Sequence, residues 1–377
     1  MRVLFLGAPV SSIDDVVGDH RKKFEMSGAN SGNLLIGDGL RKEIKYTSFG
    51  TYGSVYTKSG AEIDSLYDLI AIPAANFIYK GFDFGYLADL IEKTTLPCLM
   101  VGVGAQFPSK ESFLDVTQIS IGTVRLLRIV SERSKLIGTR GAFTSDILGK
   151  LGIHNTQVTG CPSIYSRLKS EIKVNKKSIA GKLNVSVNGS RNVYEHSYSP
   201  ENSKLVESSL IQYAINNSCD YVLQNEQPEM HLIYDDVNDA YMNDVKAIIR
   251  RLDLKIDEMQ YIDFFRKHGK IFYDLDVWSD YIKAKDFSIG TRFHGNVMAI
   301  VNSVPSVIIT HDSRTIEMSN FIKIPNISLE KYLELNGNIE KIYEHADFTE
   351  FEQNYKKIFN DYLYFMNVNN IPTNFTV

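Results

Sequence analysis

Residues 286–295 read Asp286-Phe287-Ser288-Ile289-Gly290-Thr291-Arg292-Phe293-His294-Gly295. An apolar strand is predicted to end at Gly290, and a polar turn then leads into a helix over 296–302. If the turn is extended, alternate residues share a face, so Arg292 and His294 project together. Arginine offers a fixed fork of donors to carboxylate or phosphate, and histidine titrates near neutral pH. The segment therefore predicts an anion site, because ligands of open α/β sheets bind at the carboxyl ends of strands. The alternative is an ordinary strand–helix turn with a surface arginine and a capping histidine.

A second segment has the same design. Residues 136–141 read Leu136-Ile137-Gly138-Thr139-Arg140-Gly141, again a predicted strand followed by Thr-Arg and a glycine. Gly295, in the first segment, would let the following helix start close to a ligand. The free N–H groups at the start of that helix favour an anion. Two such arginines that face each other across a cleft would form a clamp for a dianion. The alternative is that Arg140 caps a helix or pairs with Asp146.

Short apolar runs alternate with amphipathic stretches along the whole chain. The predicted strands cover 3–7, 69–72, 98–103, 136–139, 157–159, 183–187, 221–223, 271–273, 287–289 and 306–309. Helical spacing of apolar residues recurs between them, for example at 121–134, 143–151, 237–251 and 259–268. This alternation predicts an α/β protein with two Rossmann-like, doubly wound domains and a cleft between them.

The length of the chain also favours two domains. Its 377 residues exceed the roughly 250–300 residues at which single hydrophobic cores stop growing. We expect an N-terminal domain over 1–168 and a C-terminal domain over 180–335, joined by the polar, basic stretch 166–180. Residues 336–377 include an aromatic-rich helical stretch (348–368), which we expect to pack back onto the N-terminal domain.

Composition excludes several classes of function. A formal net charge of −4 argues against a nucleic-acid partner, and the absence of any run of about 18 apolar residues argues against a transmembrane segment. The three cysteines are far apart and form no C-x-x-C pair, which favours a reducing, cytoplasmic setting without a zinc site. We expect no metal, because six histidines show no ligand spacing: His20, His154, His196, His231, His268 and His345.

Three further loops carry polar candidates for ligand binding. The glycine-rich loop 28–38 opens a helix near Asn33, which would cap that helix or bind a sugar hydroxyl. It matches neither the dinucleotide pattern nor the phosphate-loop pattern. Gln106 follows a predicted strand and is placed to touch a ligand. His311 and Arg314 follow another strand, where the histidine is a candidate base and the arginine a further cation.

At this point the chain resembles the polysaccharide pyruvyl transferases. The resemblance pairs 131–140, from Ser131-Glu132-Arg133-Ser134 to Gly138-Thr139-Arg140, with 289–295, whose Arg-x-His-Gly element is the most specific part. The opening region also matches, as does the turn at 158–163: Asn33, Gly37-Asp38 and Val158-Thr159-Gly160-Cys161-Pro162-Ser163. The likeness covers roughly residues 1–325. Residues 73–77 depart from the family, whose members often have a glycine-rich turn there.

The resemblance implies a GT-B-like fold and transfer of pyruvate from phosphoenolpyruvate to a sugar, giving a pyruvate ketal on an exopolysaccharide or capsule. Carried over by motif, Arg140, Arg292 and His294 form the donor site, with His294 as general acid/base and Arg314 as a looser match. Phosphoenolpyruvate carries a carboxylate and a phosphate, which charge-assisted hydrogen bonds from arginine suit. No cofactor is implied beyond this donor. The residues expected to present the acceptor are Asn33, Asn76 and Gln106.

Two other functions compete with this interpretation. A GT-B glycosyltransferase would also set arginines against the pyrophosphate of a nucleotide sugar, but it would need a base-binding pocket that the sequence does not reveal. A non-catalytic protein of the same fold would bind sugar acids and keep all three residues without turnover. For the transferase we expect a cytoplasmic protein, which works at the inner face of the cell membrane if its sugar or glycan acceptor is lipid-linked.

Overall fold

The computed structural model describes residues 1–10, 19–178, 181–190, 193–236 and 239–376. These residues form two α/β domains, and each is built on parallel strands. The predicted class, an α/β protein with two Rossmann-like domains, is confirmed.

The N-terminal domain alternates strands with helices. Its strands are β1 (Arg2–Phe5), β2 (Ser48–Thr51), β3 (Leu69–Pro73), β4 (Cys98–Val101), β5 (Ile137–Thr139) and β6 (Thr156–Val158). Its α-helices are α1 (His20–Met26), α2 (Gly32–Glu43), α3 (Gly60–Leu66), α4 (Gly85–Glu92), α5 (Ile121–Arg133) and α6 (Ala142–Lys150). Short 3-10 helices cover Tyr52–Ser54, Val116–Gln118 and Pro162–Tyr165. The strand order β2-β1-β3-β4 continues into β5-β6, because Val103 pairs with Thr139 in parallel.

The C-terminal domain begins after the connecting segment. Its strands are β7 (Val185–Val187), β8 (Asp220–Val222), β9 (Gly269–Lys270), β10 (Phe287–Gly290), β11 (Ser306–Thr310) and β12 (Asn326–Ser328). Its first helices are α7 (Pro200–Asn217), α8 (Gln227–Ile233), α9 (Asp239–Arg251), α10 (Glu258–His268) and α11 (Leu275–Lys283), with a 3-10 helix at Val193–His196. The others are α12 (Phe293–Ile300), α13 (Ser313–Ile322), α14 (Leu329–Glu334), α15 (Ile339–His345) and α16 (Thr349–Val368). The strand order β12-β11-β10-β7-β8-β9 is that of a Rossmann sheet.

The central strands are buried along their whole length. Every residue of β3 and β11 is buried, as expected for parallel strands with helices on both faces of the sheet. One hydrophobic cluster joins the two domains, since Val3 and Val101 belong to the same cluster as Val187 and Ile308. The hydrophobic cores of the two domains are therefore continuous.

The last helix, α16, crosses back to the N-terminal domain. The hydroxyl of Tyr362 donates to Oε2 of Glu43 at 2.6 Å, and its ring stacks on Tyr165 with a centroid separation of 4.1 Å. The side chain of Gln157 donates to the carbonyl oxygen of Asp361 at 2.8 Å. Among the described residues, no helix combines the length and apolar character needed to cross a bilayer.

Two local predictions were wrong. The strand predicted at 271–273 is β9, which ends at Lys270, because only its two residues pair with β8. Phe272 then leaves the sheet and stacks on Trp278 at 5.5 Å. The helix predicted at 296–302 is α12, which begins at Phe293, so the turn before it is shorter than expected. The edge strands β2 and β12 escaped prediction because they lack a buried apolar run.

Candidate functional site

A cavity of about 470 Å³ opens between the two domains. Its walls are loops that follow β1, β3 and β4 in one domain and β7, β8, β10 and β11 in the other, so it lies at the carboxyl ends of both sheets. The polar residues that line it are Asn30, Asn33, Asn76, Gln106, Ser190, His196, Asn225, Thr291, Arg292, His311 and Arg314. Six of the residues singled out in the sequence are thereby brought to one cavity: Asn33, Asn76, Gln106, Arg292, His311 and Arg314.

Arg292 is held in place by a buried ion pair. It caps α12, and its Nη2 contacts the carboxylate of Glu226 and the side-chain oxygen of Asn225. Glu226 is itself fixed, because its Oε2 accepts the backbone N–H of Gln224 at 2.8 Å. The Nε of Arg292 is buried and finds no hydrogen-bond partner among the described residues. An unpaired buried donor costs about 1–3 kcal/mol, which an anionic ligand at this position would relieve.

Arg314 provides a second cation in the cavity lining. It lies in the first turn of α13, and its Nη2 is 3.5 Å from Oδ2 of Asp312. Its Nε, like that of Arg292, is buried without a partner in the part of the chain that the structure describes. Burial opposes the ionisation of Asp312, but Arg314 and His311 hold the pKa of this carboxyl below its usual value.

Arg140 does not line the cavity. Its side chain is buried, with 1% exposed, and donates to the carbonyl oxygens of Gly102 at 2.8 Å and Ala74 at 3.3 Å. It also donates to Oδ1 of Asn76 at 2.5 Å, and Asn76 does line the cavity. The expected arrangement, in which Arg140 faces Arg292 directly across the cleft, is therefore not the one observed.

A chain of hydrogen bonds connects Arg140 to the opposite domain. Nδ2 of Asn76 donates to Oε1 of Gln106 at 2.7 Å, and Nε2 of Gln106 donates to Oδ2 of Asp312 at 3.2 Å. Asp312 in turn pairs with Arg314. The two amides, both expected to meet an acceptor sugar, thus use part of their hydrogen-bonding capacity on each other.

His294 lies behind the cavity lining, at the contact between the domains. Because α12 begins at Phe293, Arg292 and His294 do not share a face of extended chain, and the geometric argument made from the sequence was wrong on this point. Nε2 of His294 is 3.6 Å from Sγ of Cys161. A Cβ on Gly32 would come within 3.0 Å of Nδ1 of His294, so the glycine allows α2 to approach the imidazole.

The imidazole of His294 is surrounded by positive charge. Burial lowers its pKa well below the ordinary value, and Arg140, Arg314 and Arg292 lower it further. All three guanidinium groups are thus close enough to act on one ring, although they come from two domains. In the free protein His294 is neutral at pH 7, and a bound anion that offsets these charges would favour its protonation.

Two other predicted residues, Gly295 and His311, differ in their relation to the cavity. A Cβ on Gly295 would be 2.8 Å from Cγ of Asn188, so this glycine lets α12 pack against β7; it does not line the cavity. His311 does line it, but its Nε2 is 3.6 Å from Oδ2 of Asp312, and burial lowers its pKa to about 4.

Asn33 lies in the first turn of α2 and lines the cavity. The residue that precedes the helix is Ser31, so Asn33 is not its cap. Its Nδ2 donates to the carbonyl oxygen of Ser27 at 3.1 Å. Asn30, two residues before the helix, accepts the N–H of Gly32 at 2.9 Å and also lines the cavity.

One wall of the cavity is aromatic, and none of its members was among the predicted site residues. We call it the aromatic wall; its members are Phe77, Tyr79, Phe82, Phe84 and Tyr86. Phe77 and Phe84 stack with a centroid separation of 3.9 Å, and Phe82 packs on Phe84 at 4.6 Å. Phe82 and Tyr86 remain 42% and 46% exposed. Rings so exposed at a cavity mouth can stack against a ligand.

Polar residues after β7 and β8 also belong to the site, although none of them was predicted. Ser190 and Asn225 line the cavity, and Glu226 holds Arg292. The rule that ligands bind at the carboxyl ends of strands could have found all three, since each follows a predicted strand. Among the described residues, the one group of histidine and acidic side chains that could share a metal ion consists of His20, His231 and Asp236. None of these three lines the cavity.

Comparison with known proteins gives one family. The model of the polysaccharide pyruvyl transferase family matches residues 30–313, which include Arg140, Arg292 and His294. No curated protein matches the chain.

Several solved structures are similar in outline. Anabaena HepE in complex with UDP-glucose aligns with a TM-score of 0.48 and 13% identity over 98% of this chain and 97% of that one. S. aureus MnaA in complex with UDP aligns with a TM-score of 0.43 and 11% identity over 97% of both chains. A putative UDP-N-acetylglucosamine 2-epimerase from Listeria monocytogenes aligns with a TM-score of 0.44 and 11% identity over 96% of this chain and 94% of that one. Likenesses this weak say nothing about the chemistry of this chain.

Proposed function

Because the chain belongs to the polysaccharide pyruvyl transferase family, we propose that it moves pyruvate from phosphoenolpyruvate onto two hydroxyls of a sugar, as a pyruvate ketal. The observation that carries the proposal is that Arg292 and Arg314 both line the cavity between the domains, each with a buried Nε–H that finds no partner among the described residues. A small dianion is the ligand that such a concentration of positive charge suits best.

The donor binds between Arg292 and Arg314. Each lines the cavity and has a buried Nε–H without a partner among the described residues, so each has a donor left for a carboxylate or phosphate oxygen. Arg140 adds positive charge from within the wall and orients Asn76. It is therefore a positioning residue in this scheme rather than a direct ligand.

His294 is the proton carrier in this scheme; it lies behind the lining residues with 9% of its surface exposed, so the donor must bind deep enough to reach its imidazole. Binding of the anion offsets the three arginines, so the imidazole takes up a proton, which it then gives to the methylene carbon of the donor. A sugar hydroxyl attacks the resulting oxocarbenium-like carbon and returns its proton to His294. A second hydroxyl then attacks the same carbon, its C–O bond replaces the bond to phosphate, and the proton of that hydroxyl leaves with the phosphate. General acid–base catalysis of this kind is worth about 10²–10⁴-fold.

The acceptor sugar lies on the N-terminal side of the cavity. The aromatic wall offers exposed ring faces to the apolar side of a sugar ring, and Asn30 and Asn33 offer polar groups to its hydroxyls. The acceptor is part of a polysaccharide or a lipid-linked precursor of one. We place the reaction in the cytoplasm, at the inner face of the membrane for a lipid-linked acceptor; the free, buried Cys98, Cys161 and Cys219 fit a reducing compartment.

One experiment separates this function from its competitors. The protein is incubated with phosphoenolpyruvate and glycans or glycolipid precursors from the source cell, and the products are examined by mass spectrometry together with phosphate release. A mass gain of one ketal-linked pyruvate is expected. Sugar transfer from a UDP-sugar without any pyruvate gain would identify a glycosyltransferase. Binding of phosphoenolpyruvate in a thermal-shift assay without phosphate release would identify a non-catalytic binding protein.

A further inference from the structure

A cluster of three metal-ligating side chains lies outside the cavity. His20 begins α1 in the N-terminal domain, His231 lies in α8 of the C-terminal domain, and Asp236 follows α8. Their sequence positions show no ligand spacing, because His20 and His231 are 211 residues apart and only the folded chain brings them together.

The three facing atoms form a nearly equilateral triangle. Nε2 of His20 is 3.3 Å from Nδ1 of His231, and Oδ2 of Asp236 is 3.2 Å from each of these nitrogens. Around a tetrahedral Zn²⁺ with bonds of about 2.0 Å, neighbouring ligand atoms are about 3.3 Å apart. An octahedral ion with bonds of about 2.1 Å would need about 3.0 Å. The observed edges fit one face of the tetrahedron.

No assignment of protons to the two histidines gives a favourable contact along all three edges of this triangle. If both histidine nitrogens donate to Asp236, two N–H groups face each other; if one of them does not, its lone pair faces the carboxylate. Oδ2 of Asp236 also accepts a hydrogen bond from Nε of Arg21 at 2.8 Å. More donors therefore approach this oxygen than it has lone pairs to accept them. A cation at the centre would be the common partner of all three atoms.

The neighbourhood holds both rings in place. The ring of His20 stacks on Tyr234 with a centroid separation of 4.5 Å, and that of His231 stacks on Tyr241 at 3.9 Å. His231 is fully buried, so its ring has little freedom to turn away from the other two ligands. Asp236 is partly exposed, so the site has an entry path from solvent.

From this geometry we propose that His20, His231 and Asp236 bind one divalent transition-metal ion of the Zn²⁺ type, with solvent as the fourth ligand. The ion would link α1 of the N-terminal domain to α8 of the C-terminal domain. His20 stands shortly before the cavity residues Gly28 to Asn30, and His231 stands shortly after Asn225 and Glu226, which hold Arg292. Metal binding therefore stabilises the arrangement of two cavity loops, one from each domain.

The site is expected to be of moderate affinity. It has three protein ligands, and Nε2 of His231 finds no hydrogen-bond partner among the described residues. Loss of such an outer partner typically costs 10–100-fold in affinity. Arg21 also competes, since its guanidinium donates to the ligating oxygen of Asp236. Removing this cation should strengthen metal binding.

The test is a metal titration of untagged protein that has been stripped with a chelator. We expect one Zn²⁺ per chain by calorimetry, a tetrahedral Co²⁺ absorption spectrum, and a higher midpoint of thermal unfolding with Zn²⁺. His20→Gln and Asp236→Asn should each weaken binding at least tenfold, whereas Arg21→Ala should strengthen it. His154→Gln, at an exposed histidine far along the chain from the cluster, is the matched control and should leave binding unchanged.

Two results would overturn the proposed metal site, and a third would overturn its coordination geometry. Binding with a stoichiometry near zero, or equal binding by the wild type and the His20→Gln/Asp236→Asn double variant, would overturn the proposal. An octahedral Co²⁺ spectrum would overturn the three-ligand tetrahedral site. Both substitutions lie at partly exposed positions, and an unchanged unfolding midpoint of the metal-free variants shows that they fold. The test reads metal binding alone, so its result is independent of the proposed pyruvyl transfer.

Discussion

Nε2 of Gln106 donates to Oδ2 of Asp312 over 3.2 Å, so a side chain of the N-terminal domain supports the carboxylate that pairs with Arg314 in the C-terminal domain. The same glutamine accepts a hydrogen bond from Asn76, which in turn holds Arg140. The amide of Gln106 thus lies at the centre of a connection between two of the three arginines that surround His294.

Replacing this amide should weaken donor binding. In Gln106→Met, Asn76 and Asp312 each lose a buried partner, at a cost of about 1–3 kcal/mol. We expect KM for phosphoenolpyruvate to rise about tenfold, with a smaller effect on kcat, measured by phosphate release. Gln212→Met, at a glutamine on the surface of α7, is the control. An unchanged KM in the Gln106 variant would show that the connection does not position Arg314.

Removing the imidazole of His294 should stop the chemistry and spare donor binding. We expect His294→Ala to lower kcat by about 10²–10⁴-fold, while the Kd for phosphoenolpyruvate changes less than tenfold, because the three arginines remain. Cys161→Ala, which removes the thiol 3.6 Å from Nε2, should have a much smaller effect. Turnover equal to the wild type in His294→Ala would end its assignment as the acid/base.

Arg292→Lys should fail even though it keeps the charge. A lysine ammonium cannot contact Glu226 and a ligand together through a planar fork. We expect KM for phosphoenolpyruvate to rise by about two to four orders of magnitude, since an ion pair left incomplete in a buried site costs about 3–5 kcal/mol. Arg250→Lys, at an exposed arginine of α9, is the matched control. A near-normal KM would contradict the role of the guanidinium.

The aromatic wall should contribute to binding of the acceptor and not to binding of phosphoenolpyruvate. We expect Phe82→Ala and Tyr86→Ala to raise KM for the acceptor about five- to tenfold, which corresponds to about 1 kcal/mol for a lost ring contact. KM for phosphoenolpyruvate should stay the same, because the arginines lie on the opposite side of the cavity. Tyr364→Ala removes an exposed ring from α16, away from the cavity lining, and serves as the control. Equal effects on donor and acceptor would argue against a separate acceptor wall.

Glu317 should make the contact between the domains sensitive to pH. Its carboxylate accepts the hydroxyl of Thr144 at 2.7 Å across the two domains, and burial raises its pKa to about 7. The folded protein therefore holds a proton that the unfolded chain has lost above pH 4.5. This contribution to stability is complete below about pH 4.5 and is lost as the pH rises through 7.

The size of this effect can be measured by substitution. We expect urea unfolding to show wild-type stability falling by up to about 3 kcal/mol from pH 5 to pH 8 relative to Glu317→Gln, whose side chain cannot ionise. Glu350→Gln, at a carboxylate that is 72% exposed, should keep the wild-type slope. Parallel pH profiles for the wild type and Glu317→Gln would show that this carboxyl does not titrate on unfolding.

Much of the fold followed from local pattern. Strands such as β3 and β11 are apolar at consecutive positions because both faces of a parallel sheet are covered, and such runs are visible without coordinates. Arg292 and Arg314 could be assigned to a cavity because each follows a buried strand. The aromatic wall could not be assigned in this way. Phe82 and Tyr86 are residue types that usually lie in the core, and only the folded structure shows that they are exposed.

The sequence by itself determined the α/β class, the two parallel sheets and the strand ends that carry the polar loops, because these depend on the order of apolar and polar residues along the chain. The tertiary structure alone decided that Arg140 lies behind Asn76 and that His294 meets Cys161. It likewise decided that His20 meets His231. Such contacts depend on where helices begin and how two domains dock, and these are set by packing between residues far apart in the chain.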